Sequence, residues 1–230
     1  MAPLTTEVSG SALAVLIGDV VSSRTSADRR GLHVSLHAAL ALVNGWLEPV
    51  TPLRITVGDE FQGGFDTVGR AAHASLLVRT VLAGPPPADG AEESPVDVRF
   101  GIGWGPVATL EEQPRVEDGP GWWAARDAID EVKAAARRPG LRHRRTAFRS
   151  APDAGGPDAD LVNAALLCQD QVVGSASPRS LRLLGGLLRG TAQADLAQAE
   201  GISASAVSQR VRHDGLAVVV AADERMRRVS

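Results

Sequence analysis

The sequence predicts an α+β protein: a ferredoxin-like βαββαβ sheet with helices, followed by an all-α helix-turn-helix domain. Three observations carry that expectation. Apolar runs of strand period alternate with runs of helical period over about the first 135 residues. After about residue 160 the chain turns to short Ala/Leu-rich helical segments. Within that part, Thr191 to Arg212 has the residue pattern of two helices joined by a tight turn.

Residues 12–21, ALAVLIGDVV, are a continuous apolar run with Asp19 near its end, as in a buried strand. Ser26 suits the cap of a helix over Ala27 to Leu47, where Leu32, Leu36, Leu40, Val43 and Leu47 share a face. Leu53 to Val57 and Phe61 to Phe65 alternate as two strands of a hairpin with Gly58-Asp59-Glu60 at its tip. The usual turn order, Asp-Gly or Asn-Gly, is reversed here, and a second acid follows. A second amphipathic helix covers about Val68 to Leu82, and residues 84–95 are a polar loop rich in Pro and Gly. Residues 96–107, VDVRFGIGWGPV, alternate as a strand in which Gly101, Gly103 and Gly105 leave room for backbone or ligand. Pro120 then opens a helix within DGPGWWAARDAIDEVKAAARR. Residues 149–160, RSAPDAGGPDAD, mark the best boundary, which gives domains at 1–150 and 161–230 and a linker at 151–160.

Composition narrows the function. A single cysteine, Cys168, excludes an internal disulfide, and no Cys/His cluster has zinc spacing. No secretory signal or membrane-length apolar run is seen, so a soluble, cytoplasmic protein with no membrane partner is expected. Of 24 basic residues only Lys133 is lysine, a bias read here as genome composition. Residues 1–130 hold 17 acids and 9 bases, whereas residues 131–230 hold 10 acids and 15 bases. An acidic half joined to a basic half suggests two tasks, with nucleic acid a candidate partner of the second.

In the βαββαβ order the first strand lies beside the hairpin, which brings the end of that strand, at Asp19, near Asp59. Two adjacent carboxylates repel unless a proton or cation sits between them. Magnesium or manganese, with room for water and phosphate, fits such a pair, and two-metal phosphoryl-transfer sites use this chemistry. Backbone N–H groups after Asp19, in VVSSR, are placed to hold phosphates, which makes Ser22, Ser23, Arg24 and Gly58 candidate nucleotide-binding residues. Glu60 alternates away from Asp59 and is the weaker ligand candidate. Trp122 and Trp123 either wall a nucleobase or belong to the core or a dimer interface.

LIGDVVSSR, ITVGDEFQGGF, RFGIGWGPV and DGPGWWAARDAID, taken in order, resemble the successive motifs of the SatD family. More distantly they resemble the palm-like domain of class III nucleotidyl cyclases and GGDEF diguanylate cyclases. The resemblance implies that Asp19 and Asp59 bind metal with help from the carbonyl of Val20. It also implies that Arg126 is the catalytic, phosphate-contacting arginine if the protein is an enzyme. Trp122 stands where cyclases carry an asparagine, Ile55 where they carry a base-reading lysine, and Val57 where the full GGDEF motif has glycine. Those departures argue against cyclisation and leave metal–nucleotide binding in place.

In the C-terminal part, Leu196 and Ala197 sit on a first helix and Gly201 is suited to end it. Ser203 caps a second helix, with Val207 and Val211 buried one turn apart. That leaves Ser205, Ser208, Gln209, Arg210, Arg212 and His213 facing outward, residue types that bond phosphates and base edges. The arginines from Arg137 to Arg149 could flank such a site. The sequence reading is a nucleotide-responsive, DNA-binding transcriptional regulator acting as a homodimer. Its alternative is a nucleotidyl cyclase or nucleotidyltransferase in which the helix-turn-helix regulates or targets the enzyme.

Overall fold

The computed structural model describes residues 10–21, 28–86, 95–113 and 115–230. In chain order the elements are β1 (Ser11–Val20), α1 (Arg29–Leu47), β2 (Thr51–Val57), β3 (Glu60–Phe65), α2 (Val68–Val81), β4 (Val98–Glu112), β5 (Arg115–Asp118) and α3 (Pro120–Ala135). A 3-10 turn at Pro139–Leu141 follows, then β6 (Thr146–Ser150), α4 (Ala159–Ser175), α5 (Pro178–Leu188), α6 (Gln193–Ala199), α7 (Ala204–His213) and α8 (Leu216–Met226). The strands run β2-β3-β1-β4-β5, and β6 adds to β4 in parallel. The sheet order β4-β1-β3-β2 is that of the expected βαββαβ unit. Asp28 caps α1 by accepting from the Gly31 N–H; the expected cap, Ser26, lies outside the described residues.

Strand parity sorts β1 between two cores. Ala14, Leu16 and Val20 pack with Phe61, Phe65, Leu36 and Leu77 on the side of α1 and α2. Val15 and Ile17 point the other way, onto Trp122, Ala125 and Ile129 of α3. The β4 glycines serve close backbone packing. A Cβ at Gly103 would lie 2.1 Å from the Gly121 carbonyl oxygen, and one at Gly101 would lie 2.2 Å from that of Ala125. Helix α3 therefore rests directly on the strand.

The helices after residue 158 do not form a body with a separate core, which corrects the expectation of a detached all-α domain. Leu166, Val173, Leu181, Leu184 and Val207 belong to the same buried cluster as Leu76, Leu77 and Phe148. The physical reason is α2, in which 12 of 14 residues are buried. An amphipathic surface helix would bury one stripe, but α2 lies between the sheet and the later helices. Two buried polar bridges cross the same junction. His73 Nδ1 lies 2.8 Å from Asp223 Oδ1, and Arg79 donates to Asp170 at 2.6 Å. The stretch 151–160 is likewise held: Trp104 Nε1 donates to the Ala154 carbonyl, and α4 begins at Ala159 with Asp158 as its cap. The local turn between α6 and α7 matches its sequence pattern, with Gly201 at φ +63° and Ser203 accepting from the Ala206 N–H. Among the described residues no helix is long and apolar enough to cross a membrane.

Candidate functional site

On the α3 side of the sheet, Asp19 continues the series Val15, Ile17. Its antiparallel register partner is Glu60, so the two side chains stand on one face. Phe61 points into the opposite core, which fixes Glu60 on the side of Asp19. Glu60 is thus set beside Asp19 on this face, where the sequence reading ranks it behind Asp59 as a ligand.

Helix α3 answers this acidic pair with two cations set two turns apart. Arg126 donates to both oxygens of Glu60, at 2.6 Å each, and Lys133 Nζ lies 3.2 Å from Asp19. The hydrogen bonds from Arg126 hold the Glu60 carboxyl below its ordinary range, against the opposing effect of burial. The same bonds raise Arg126. Lys133 is the one lysine among 24 basic residues, a bias that composition alone attributes to the genome. Its rarity was the signal: where arginine is the default cation, a compact ammonium at a carboxylate is a local choice.

The hairpin tip is a two-residue turn, with Val57 paired to Glu60. Gly58 at φ +65° takes the first central position, as in a type II′ turn, which explains the reversed Gly-Asp order. Asp59 lines a cavity of about 360 Å³ with Arg29, Arg30 and His33 from the first turns of α1. A neighbouring groove of about 700 Å³ shares His33 and Gly58 and is walled by Ile55 and Thr56. Ser22, Ser23 and Arg24 lie outside the described residues. Val20 is the last residue of β1, its side chain buried in the α1/α2 core. Trp122 is 7% exposed within the α3 core, so it is no wall for a base, which corrects that assignment. Trp123 is 56% exposed and donates to Asp118, one turn from Arg126.

The carboxylate pair suits magnesium or manganese held partly by phosphate oxygens, because magnesium sites commonly use one or two carboxylates plus substrate phosphates. Among the described residues no group of three or more His, Cys, Asp or Glu side chains could form a protein-only metal cage. On the outer side of α7, Ser205, Gln209, Arg212 and His213 are exposed, while Ser208 and Arg210 are half-buried. Arg210 lies 3.9 Å from Asp214.

Comparison with known proteins follows from this geometry. The model of the SatD family matches residues 13–228, across both the sheet and the C-terminal helices. No curated protein matches the chain. Among solved structures, the guanylyl cyclase domain of the RhoGC fusion protein from the fungus Blastocladiella emersonii is similar at 17% identity. That match covers 53% of this chain and 75% of the other, with a TM-score of 0.42. A bacterial light-regulated adenylyl cyclase is similar at 14% identity, over 60% of this chain and 75% of the other, with a TM-score of 0.43. The GGDEF domain of DgcB from Caulobacter crescentus, in complex with c-di-GMP, is similar at 15% identity over 61% and 78%, with a TM-score of 0.38.

Proposed function

The chain belongs to the SatD family, and on that footing we propose that it is a magnesium- or manganese-dependent enzyme acting on a nucleoside triphosphate by nucleotidyl transfer. One observation carries this reading: Asp19 and Glu60 stand paired on the sheet with Arg126 and Lys133 laid against them. Each carboxylate is neutralised by a cation of the same chain, and that arrangement is suited to exchange. Asp19 and Glu60 would hold a divalent ion, with Asp59 at the adjoining turn and the Val20 carbonyl as further donors. When bound, the ion neutralises charge building up on the phosphates. Arg126 and Lys133 would then be available to phosphate oxygens, the guanidinium as a fork and the ammonium as a point charge.

Arg29 and Arg30 at the first turn of α1 add positive charge beside Asp59. Trp123, not Trp122, is the aromatic ring open to a base. Ile55 in the groove leaves no lysine there to read a purine edge, so the reading extends to nucleotidyl transfer in general and not to cyclisation alone. A homodimer accompanies it, supported by exposed Leu110, Val116 and Trp123 along the β4–β5 hairpin and the start of α3. The test is thermal stabilisation by magnesium or manganese with each NTP. Asp19→Asn should abolish the gain; a gain of wild-type size in Asp19→Asn and in Glu60→Gln would refute the reading.

A second reading keeps DNA as a partner. Its support is α7, which seats Val207 and Val211 in the core and turns Ser205, Gln209, Arg212 and His213 to solvent. Binding by such a helix must weaken steeply with salt. Genome-fragment selection at two salt concentrations tests it, and no salt-dependent enrichment by the full chain would remove it.

A further inference from the structure

The junction between the sheet and the C-terminal helices holds a second basic pocket, lined by none of Asp19, Glu60, Arg126 and Lys133. Its volume is about 430 Å³, within the range of small-ligand sites. Arg79 of α2 and Asp97, just before β4, form one side. The loop residues Arg142, His143 and Arg145 form another, and Val96, Val173 and Leu181 supply an apolar wall.

Charge in this pocket is unbalanced. Asp170 is taken up by Arg79, and Asp97 by three contacts from Arg145, at 2.6, 2.7 and 2.9 Å. Arg142 has no carboxylate among the described residues. Its Nε donates instead to His143 Nε2 at 2.9 Å, an arrangement open only to a neutral imidazole. The ring is also held in place. A Cβ at Gly174 of α4 would come within 2.6 Å of His143 Nδ1, so only glycine lets the helix lie against it. A fixed imidazole, a guanidinium with no carboxylate partner among the described residues and an apolar wall make a site suited to an organic anion.

We propose that this pocket binds a small organic phosphate, the phosphate on Arg142 and His143 and the apolar body against Val96, Val173 and Leu181. Because the pocket is walled by α2, the loop before β6, α4 and α5, an occupant there bridges the sheet and the helical half. Binding is also coupled to protons. Burial holds His143 below its ordinary value, and Arg142, Arg145 and Arg79 add to that effect, opposed by Asp97, while Asp170 is committed to Arg79. A phosphate dianion reverses the sign of that field, so His143 takes up a proton on binding. Affinity for the phenyl phosphate dianion therefore rises as pH falls from about 8 to about 7, above the phosphate's own second pKa of about 6.

Isothermal titration of the full chain with phenyl phosphate, and separately with inorganic phosphate, tests this. EDTA is present throughout, so metal-dependent binding at Asp19 is silent. Phenyl phosphate should bind more tightly than inorganic phosphate. Arg142→Ala, at an exposed side chain, should weaken it about tenfold or more, as loss of a charge-assisted pair does. His143→Gln should flatten the pH dependence, and Asp19→Asn should leave all of this unchanged. No binding by wild type, unchanged affinity in Arg142→Ala, or equal affinity for the two probes would each overturn the proposal.

Discussion

Asp170→Ala is the sharpest test of whether sheet and helices form one unit. The Asp170 side chain is fully buried and accepts from Arg79 at 2.6 Å, from the N–H groups of Arg145 and Thr146 at 2.7 Å each, and from the Thr146 hydroxyl at 3.3 Å. Removing one partner of a buried ion pair costs about 3–5 kcal/mol, because the other charge is left in low dielectric. Domain stabilities are about 5–15 kcal/mol. At about 2–4 °C per kcal/mol for a chain of this size, the pair alone predicts a fall in Tm of about 6–20 °C. The two freed N–H groups push it towards the upper end. Circular dichroism and calorimetry should show a single transition moved down as a whole. The double variant Asp170→Leu with Arg79→Leu should recover much of the loss, since an apolar pair carries no stranded charge. A shift under about 2 °C, or a separate early transition of the helical half, would refute the reasoning.

Gly103→Ala should destabilise by about 1–3 kcal/mol or more, because its Cβ meets backbone of α3 at 2.1 Å; equal Tm values for wild type and variant would contradict that packing. The bonds from Arg126 depress the Glu60 carboxyl, so its contribution to stability is present above the unfolded carboxylate value and is lost as pH falls through the folded one. Wild type and Glu60→Gln should therefore differ in Tm at neutral pH and converge in acid, and a gap that persists in acid would contradict the pairing. Trp123→Ala should weaken nucleotide binding by about 1–3 kcal/mol if its exposed ring stacks on a base, with the Tm little changed.

The sheet was legible because β1, the β2–β3 hairpin and β4 keep a strand period while α1 and α3 keep a helical one. By contrast, β5 reads RVED, four residues with no apolar period; it forms because β4 continues past the sheet and folds back on itself. The dual burial of α2 was hidden in Ala, Gly and Ser, residues small enough to be packed from every side without a hydrophobic stripe. Parity along β1 already placed Asp19 with Val15 and Ile17, and carried through the hairpin register it would have chosen Glu60 over Asp59. Helical spacing likewise puts Trp122 with Ala125, Ile129 and Val132 on the buried face, leaving Trp123 outside. The union of the two halves rests on Arg79–Asp170 and His73–Asp223, pairs 91 and 150 residues apart, which no local pattern reveals.

In the function proposed above, the Asp19–Glu60 pair and its two cations support chemistry on a nucleoside triphosphate. Incubating the purified chain with magnesium or manganese and each NTP in turn, then following pyrophosphate release and product mass, tests it most directly. Metal-dependent turnover of at least one NTP is expected, lost in Asp19→Asn and in Glu60→Gln. Tight metal–nucleotide binding without turnover, or turnover that survives both substitutions, would contradict it.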